Sequence, residues 1–270
     1  MRPVPELRYI PYKSSDMVIL RRCRMNPKLD CGVELQRKYY TDTAARYEQM
    51  HEHEGSGDAL ANRFVHSILR MVDAQSVLDV GTATGRGMRD LKGGLPNGFV
   101  CGIEPVAALI QQALQNGNAA AGPLIRGSGS ALPFADASFD VVCEFAVLHH
   151  VANPNAIVKE MLRVAKKAVL ISDSNRFGQG SRAARLIKLG LCKSKLWGAY
   201  NYVRTSGKGY RVTQGDGVAY SYSVYDSFEL ISQWADRIIL YSGADKNSSS
   251  WAHPLLNCGG VLVGALKEFS

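Results

Sequence analysis

A short glycine-rich run with one acidic residue is the most chemically informative stretch of this sequence. A strand-like segment, Val77–Val80, leads into Gly81-Thr82-Ala83-Thr84-Gly85-Arg86-Gly87. The spacing is acid-x-Gly-x-x-x-Gly, from Asp79 through Gly81 to Gly85. Glycine adopts positive φ readily and has no Cβ to hold a ligand away. The run therefore predicts a strand, a tight turn and a helix start, which together form a crevice for a nucleotide-like ligand.

The same run argues against a dinucleotide cofactor. A dinucleotide fingerprint requires glycines in the order G-x-G-x-x-G, and the third lets the helix pack closely on the strand. Counted from Gly81, these positions hold Gly81, Ala83 and Arg86. The bulky Arg86 at the third position disfavours a nicotinamide-dependent oxidoreductase.

Glu104 is a second candidate ligand-binding residue. It ends the apolar run Gly98–Ile103, about 20 residues after the glycine turn. An acid at this position can accept hydrogen bonds from ribose hydroxyls. Its other interpretation is a charge at a helix start that complements the helix dipole, and that role does not require the spacing.

His149 and His150 are the candidate catalytic side chains. They follow Val141–Phe145, a predicted strand, at its carboxyl end. Histidine is the commonest side-chain base near neutral pH, so we expect one of the two to act as a base or to orient an acceptor. Hydrogen-bonded packing of both rings remains the alternative.

The elements that position these residues alternate between strand and helix. Strands are predicted at 77–80, 98–103, 123–127, 141–145 and 166–172, and helices at 37–50, 57–72, 106–115 and from Pro154, with Asn153 as its cap. Further along, the pattern predicts a helix at 228–234, capped by Asp226 or Ser227, and strands at 237–241 and 260–266. Such alternation is typical of a doubly wound, mostly parallel α/β sheet.

Three motifs carry a resemblance to a known family. The segment from Asp79 to Gly85 resembles motif I of the class I S-adenosylmethionine-dependent methyltransferases, with Ala83 in place of the middle glycine. Leu132-Pro133-Phe134 with Ser138-Phe139-Asp140, and then Leu148-His149-His150, resemble the ubiquinone-biosynthesis-like, or type 11, group. The resemblance covers residues 38–173 and, more weakly, 225–268. It implies a Rossmann-like, seven-stranded sheet whose last strand is antiparallel.

The resemblance also implies a cofactor and its contacts. S-adenosylmethionine is expected to lie against Asp79, Gly81, Thr82, Gly85, Glu104, Ser128, Gly129 and Glu144. Ser128 stands where the family commonly has an acid that contacts the adenine amino group, so a hydroxyl or the backbone must make that contact. The family often places a tyrosine from a covering helix near the methyl donor. This implies a catalytic position for Tyr47, ahead of Tyr39 and Tyr40, beside His149 and His150.

An insertion at about residues 174–224 interrupts the alternation and carries nine Lys and Arg residues against Asp216 alone. Its excess of +8 equals the net charge of the whole chain. A helix is predicted at 181–191, and glycine turns at 207–209 and 215–217. Tyrosines and Trp197 are interleaved with the cations.

This composition favours a small anionic acceptor, such as a metabolite or a lipid-linked or nucleotide-linked sugar. A solvated lid is the plainer interpretation. An RNA methyltransferase, and a non-catalytic cofactor-binding or RNA-binding module, remain alternatives, because a fold alone does not settle activity.

The remaining features bound the organisation of the protein. Residues 1–37 are predicted to form a basic extension, and 38–270 a methyltransferase domain. The six cysteines include no C-x-x-C pair, and His51 and His53 do not share a helix face, so no metal site is predicted. Met1–Pro11 lacks the apolar core of a signal sequence, and no apolar run is long enough to span a membrane, so we expect a cytoplasmic protein. The oligomeric state is left open.

Overall fold

The computed structural model describes residues 27–51, 55–242 and 256–268. Its centre is a seven-stranded sheet made of β1 Ser76–Val80, β2 Phe99–Glu104, β3 Leu124–Arg126, β4 Phe139–Phe145, β5 Ala165–Ser174, β8 Arg237–Tyr241 and β9 Gly260–Leu266. The strands lie side by side in the order β3-β2-β1-β4-β5-β9-β8. The strands from β3 to β5 pair in parallel, whereas β9 is antiparallel to both β5 and β8. The predicted fold is therefore confirmed, including the antiparallel last strand.

The helices cover both faces of this sheet. They are α1 Pro27–Thr43, α2 Tyr47–His51, α3 Gly55–Met71, α4 Arg86–Gly94, α5 Ala107–Gln115, α6 Pro154–Val164, α7 Arg182–Lys193, α8 Trp197–Arg204 and α9 Phe228–Trp234. On one face, Leu78 and Val142 pack with Met161 of α6. On the other, Val77 and Val141 pack with residues of α3 and α4. Because parallel strands are buried on both faces, alternate residues of one strand enter different cores.

The N-terminal helix differs from its prediction. Helix α1 begins at Pro27, well before the predicted start at Arg37, so residues 27–37 of the predicted basic extension are helical. Its apolar periodicity is weak, and tertiary contacts hold it in place. The Gln36 side chain bonds to Asp216 O and Val218 N, and the Tyr39 hydroxyl donates to Gln214 O. The predicted extension at residues 1–26 lies outside the described residues.

The insertion folds into two helices and a hairpin. Helix α7 begins after Ser181, whose Oγ accepts a hydrogen bond from Ala184 N, which confirms the predicted helix. The hairpin pairs β6 Tyr210–Thr213 with β7 Gly217–Tyr220 in a separate two-stranded sheet. Its turn carries Asp216, close to α1.

Two predicted caps are corrected. Asn153 occupies the N-cap position of α6, but its side chain makes no capping hydrogen bond. Ser227 precedes α9, yet its Oγ donates to Asn155 instead. Asp226 instead forms a reciprocal capping box with Ser223 at the start of the preceding 3-10 turn. In both corrected caps the residue type is right, but its side chain does not cap the helix.

Two further expectations concern membranes and thiols. None of the helices within the described ranges combines the length and apolar character that a membrane crossing requires. The five cysteines that the structure describes are free thiols, and Cys101, Cys143 and Cys258 are buried as small apolar side chains. Cys23 lies outside the described residues.

Candidate functional site

A cavity of about 640 Å³ lies at the carboxyl ends of β1 and β4. We call it the loop cavity, because the glycine turn forms one wall. Its other walls come from α1 and α2, from the end of β4 and from the β6–β7 turn. Its lining includes Tyr40, Tyr47, Asp79, Gly81, His149 and Asp216. Parallel α/β sheets bind ligands at this edge, as the sequence predicts.

The glycine turn has the backbone that its sequence requires. Gly81 and Gly85 have φ of 77° and 76°, in the left-handed region. A Cβ on Gly81 would lie 2.5 Å from Val147 Cγ2, so the turn also needs a glycine for space. Ala83 adopts a φ of 49°, which a non-glycine residue rarely does. The small Ala83 therefore takes over the left-handed geometry of the glycine that it replaces.

Asp79 is the buried acid of the loop cavity. Its exposed fraction is 2%, and its carboxylate lies close to Gly87 at the start of α4. Burial raises the pKa of Asp79 to about 6. Its negative charge above that pH faces a cavity suited to a cationic ligand.

Glu104 lies next to the glycine turn but does not line the cavity. Its Oε2 accepts a hydrogen bond from Ala83 N at 3.0 Å, and its Oε1 accepts one from Val106 N at 2.8 Å. Burial raises its pKa to about 7 against the effect of these two bonds. The carboxylate thus joins the turn to the start of α5, and its predicted contact with a ribose stays a prediction.

The N-terminal segment covers this corner of the site. Ala44 packs on Val106 and Leu109, with Tyr40 and Tyr47 at the edge of the same cluster. The Tyr47 ring stacks on His51 with centroids 4.2 Å apart, and both residues line the loop cavity. Tyr47 therefore lines the loop cavity, and its position beside a methyl donor stays a prediction.

The other predicted cofactor residues lie at different depths. Thr82 lines the cavity beside Gly81. Ser128 and Gly129 lie after β3 and are not among its lining residues; Ser128 Oγ is 2.9 Å from Ser130 Oγ. Glu144 is fully buried in β4, where Oε2 accepts a hydrogen bond from Val147 N and Oε1 has no partner. Burial, and then the charge of Asp173, raise its pKa well above the usual range.

His149 and His150 both contact the carboxylate of Asp216, which the sequence did not mark as a site residue. His149 Nε2 lies 3.3 Å from Asp216 Oδ2, and His150 Nε2 lies 3.2 Å from Asp216 Oδ1. On its other side, His149 Nδ1 lies 2.8 Å from Asp173 Oδ1. Burial would lower the pKa of His149, but the two carboxylates outweigh it and raise the pKa to about 10. Both histidines line the loop cavity.

A second cavity of about 360 Å³ lies among the inserted elements. We call it the insertion cavity. It is lined by cations and aromatic rings, including Arg176, Lys188, Trp197, Arg204, Arg211 and Tyr222. His149 and Asp216 line both cavities, so the two spaces meet at the histidine pair.

Three candidate site residues were not predicted from the sequence or were placed behind other residues. Tyr40, ranked below Tyr47, lines the loop cavity and places its hydroxyl 3.0 Å from His150 Nε2. Asp173 directly follows the predicted fifth strand, at the edge of the sheet where such folds bind ligands. Asp216 is the lone acid of a basic insertion and stands between two glycines, and this isolation was the available signal.

The central part of the chain matches a known family. A family model described as a methyltransferase domain matches residues 78–171, from β1 into β5. An uncharacterized methyltransferase of Mycolicibacterium gilvum is 42% identical over 65 residues, which are 24% of this chain and 26% of that protein. A demethylmenaquinone methyltransferase of Roseiflexus sp. is 30% identical over 95 residues, 35% of this chain and 40% of that protein. The chain thus spans between about a quarter and two-fifths of the lengths of these curated relatives.

Among solved structures, the fold is shared with a magnesium protoporphyrin IX methyltransferase from Synechocystis PCC 6803, solved with bound SAH. The TM-score is 0.56, and the match covers 88% of this chain and all of that one. At 15% sequence identity, this likeness shows a common fold and nothing finer.

Proposed function

We propose that the protein transfers a methyl group from S-adenosylmethionine to a small anionic acceptor, because residues 78–171 match a family model described as a methyltransferase domain. The cofactor occupies the loop cavity and the acceptor occupies the insertion cavity. The observation that carries the proposal is that these two cavities share His149 and Asp216 as lining residues.

The loop cavity supports the cofactor half of the proposal. Its volume lies within the range of about 300–1,000 Å³ that ligand pockets commonly have. S-adenosylmethionine is a cation at its sulfonium and ammonium groups, and the ionised Asp79 offers a buried negative charge to it. The fold is one in which a relative with bound SAH is known. The family predictions for Gly81, Thr82, Gly85 and Glu104 are part of the same proposal.

Catalysis of this transfer requires alignment more than proton chemistry. S-adenosylmethionine supplies an already activated methyl group. The chain's own contribution is to hold the acceptor in line with that group and to exclude water. Tyr40, Tyr47 and Ala44 cover the cavity from the α1–α2 side, where they can exclude water. His149 and His150 lie where an acceptor would enter from the insertion cavity.

The insertion cavity supports an anionic acceptor. Arg176 is 7% exposed; its Nη2 pairs with Asp226, whereas its Nε has no hydrogen-bond partner. Lys188 has its pKa lowered, first by burial and then by the nearby charges of Arg204, Arg185 and Arg176. Such mutual repulsion among cations is relieved when an anion binds between them. Trp197, which lies under both Arg176 and Arg204, offers a flat apolar wall.

The cofactor half is tested by titrating the protein with S-adenosylmethionine in a calorimeter. We expect Asp79→Asn to weaken binding about tenfold, because it removes a buried negative charge that attracts the cationic cofactor. This corresponds to a loss of about 1.4 kcal/mol in binding free energy. Wild-type affinity should also fall as the pH drops through about 6, where Asp79 takes up its proton. Binding to the variant should lose that pH-dependent contribution.

The exposed Asp136→Asn variant is the matched control, since it makes the same chemical change far from the cavity. Equal affinities for wild type and Asp79→Asn would refute the role of Asp79. Failure of wild type to bind the cofactor would contradict the proposal and favour the RNA-binding module among the alternatives.

The acceptor half is tested with methyl-labelled cofactor and a cell extract separated by anion exchange. Label should appear in a small molecule that the exchanger retains. Arg204→Gln should reduce incorporation about tenfold at limiting acceptor while leaving cofactor affinity within about twofold, because Arg204 lines only the insertion cavity.

Lys193→Gln removes the same charge from an exposed position on α7 and should behave as wild type. Label that is released only by nuclease would identify RNA as the acceptor instead. Label in an unretained, neutral compound would contradict the proposed acceptor class.

A further inference from the structure

His149, His150 and Asp216 bring three potential metal ligands to one point. One ligand atom from each lies within 4.8 Å of the others. The histidines come from the 3-10 turn after β4 and the aspartate from the β6–β7 turn, so no local spacing in the sequence announces the group. All three side chains line the loop cavity, which gives an ion a route of entry.

The remaining ring nitrogens have the partners that metal-binding histidines usually have. His149 Nδ1 faces the buried Asp173 carboxylate at 2.8 Å. His150 Nδ1 faces Val218 O at 2.7 Å. A carbonyl can only accept a hydrogen bond, so the proton of His150 lies on Nδ1. Gln36 Nε2 also lies 3.2 Å from His150 Nδ1, but it donates its hydrogen bond to Asp216 O. Such outer acceptors fix the tautomer and leave the Nε2 lone pairs free to bind a metal.

The two Nε2 atoms face the same carboxylate. Each lies within 3.3 Å of one oxygen of Asp216, and the two rings have centroids 3.9 Å apart. A divalent ion between these groups would accept both nitrogen lone pairs and the carboxylate charge together.

The spacing leaves room for a coordination sphere. Ligands that lie about 2.0–2.1 Å from a tetrahedral ion are separated by about 3.3 Å. His149 Nε2 lies 3.3 Å from Asp216 Oδ2, His150 Nε2 lies 3.2 Å from Asp216 Oδ1, and one ligand atom from each residue lies within 4.8 Å of the others. The Tyr40 hydroxyl, 3.0 Å from His150 Nε2, lies at the edge of the same space.

We propose that His149, His150 and Asp216 bind a divalent transition-metal ion, with Asp173 and the Val218 carbonyl orienting the two rings. Two imidazoles and one carboxylate suit Zn²⁺, Fe²⁺ or Co²⁺, whereas Mg²⁺ prefers oxygen ligands alone. Three protein ligands leave at least one coordination position open.

The ligand cluster lies where the two cavities meet, because His149 and Asp216 line both. In a role that rests on the proposed function, an acceptor hydroxyl bound to the ion would be held beside the methyl donor and would release its proton to solvent water more readily. Binding of the ion itself does not depend on that role.

The test uses the full chain without a histidine tag, treated with chelator and then dialysed. Calorimetry with Zn²⁺ should show one site per chain. Asp216→Asn, His149→Gln and His150→Gln should each weaken binding at least 100-fold, and Asp173→Asn should weaken it about 10- to 100-fold. Asp216 is a half-exposed turn residue, so we expect Asp216→Asn to disturb folding less than the two histidine variants.

The matched control is His66→Gln, which removes a histidine on α3 whose Nε2 bonds to Asp90 O. It should leave Zn²⁺ binding unchanged. A second readout is thermal unfolding: Zn²⁺ should raise the Tm of wild type and of His66→Gln, but not that of Asp216→Asn. The absorption spectrum with Co²⁺ should show d–d bands without thiolate charge transfer.

Several results would overturn the site. These are the absence of Zn²⁺ binding, wild-type Zn²⁺ affinity in Asp216→Asn or His149→Gln, thiolate bands with Co²⁺, and binding of Mg²⁺ in preference to Zn²⁺. Cofactor titration of the chelated protein is a separate measurement. It distinguishes a failed metal site from a failed methyltransferase.

Discussion

At the scale of single residues, the site is unusual for its buried carboxyl groups. Asp79, Glu104 and Glu144 end or occupy neighbouring strands, and burial raises the pKa of each. A group whose pKa is raised by folding binds a proton more tightly in the folded state. The free energy of unfolding therefore falls as the pH rises from the unfolded pKa, about 4.3 for Glu, toward the folded one.

Glu144→Gln isolates one of these groups. The amide resembles the neutral carboxyl and cannot ionise, so we expect wild type to lose stability relative to the variant between pH 5 and pH 8. The difference should grow by up to about 1.4 kcal/mol per pH unit, the limit for one proton. Urea unfolding at pH 5, 6.5 and 8 measures it.

Glu229→Gln is the control for this experiment, because Glu229 is exposed on α9. The free energy of unfolding of Glu229→Gln should change with pH in the same way as that of wild type. If the curves of wild type and Glu144→Gln ran parallel, Glu144 would have to be ionised already in the folded protein at pH 5.

At the scale of elements, helix α1 positions the β6–β7 hairpin. Gln36 is 7% exposed; its Oε1 accepts a hydrogen bond from Val218 N, and its Nε2 donates to Asp216 O. Gly217, with a φ of 68°, leaves room for this side chain. The hairpin in turn carries Asp216 to the histidines, so a helix outside the family match sets the geometry of the site.

Gln36→Ala should therefore act on the hairpin. The buried Val218 N–H loses its acceptor, which costs about 1–3 kcal/mol of unfolding free energy. Hydrogen exchange should show faster exchange at Val218, and Zn²⁺ affinity should fall together with it. Urea unfolding gives the stability change.

Lys38→Ala provides the comparison on the same helix. Its exposed ion pair with Asp42 contributes at most about 1 kcal/mol. Hydrogen exchange at Val218 should stay as in wild type. Unchanged exchange in Gln36→Ala would mean that the hairpin holds its position without α1.

At the scale of the whole molecule, the two cavities lie on different parts of the chain. The loop cavity is built largely on the sheet, within the segment that matches the family. The insertion cavity is built by α7, α8 and the hairpin, which lie beyond that segment, and it gathers the positive charge of the chain. Under the proposed function, cofactor recognition would lie on the fold shared with the family and acceptor choice on the insertion, since loops after strand ends vary most readily.

The sequence by itself determined the sheet, most helix positions and the glycine turn. These follow from local periodicity and turn chemistry, which neighbouring residues set; the spacing from Asp79 to Gly85, for example, requires left-handed glycines. Tertiary structure alone decided the early start of α1, the orientation of Glu104 toward backbone amides and the meeting of His149 with Asp216. That last contact joins residues 67 positions apart. Side-chain contacts of this kind depend on how whole elements pack, and no local pattern encodes them.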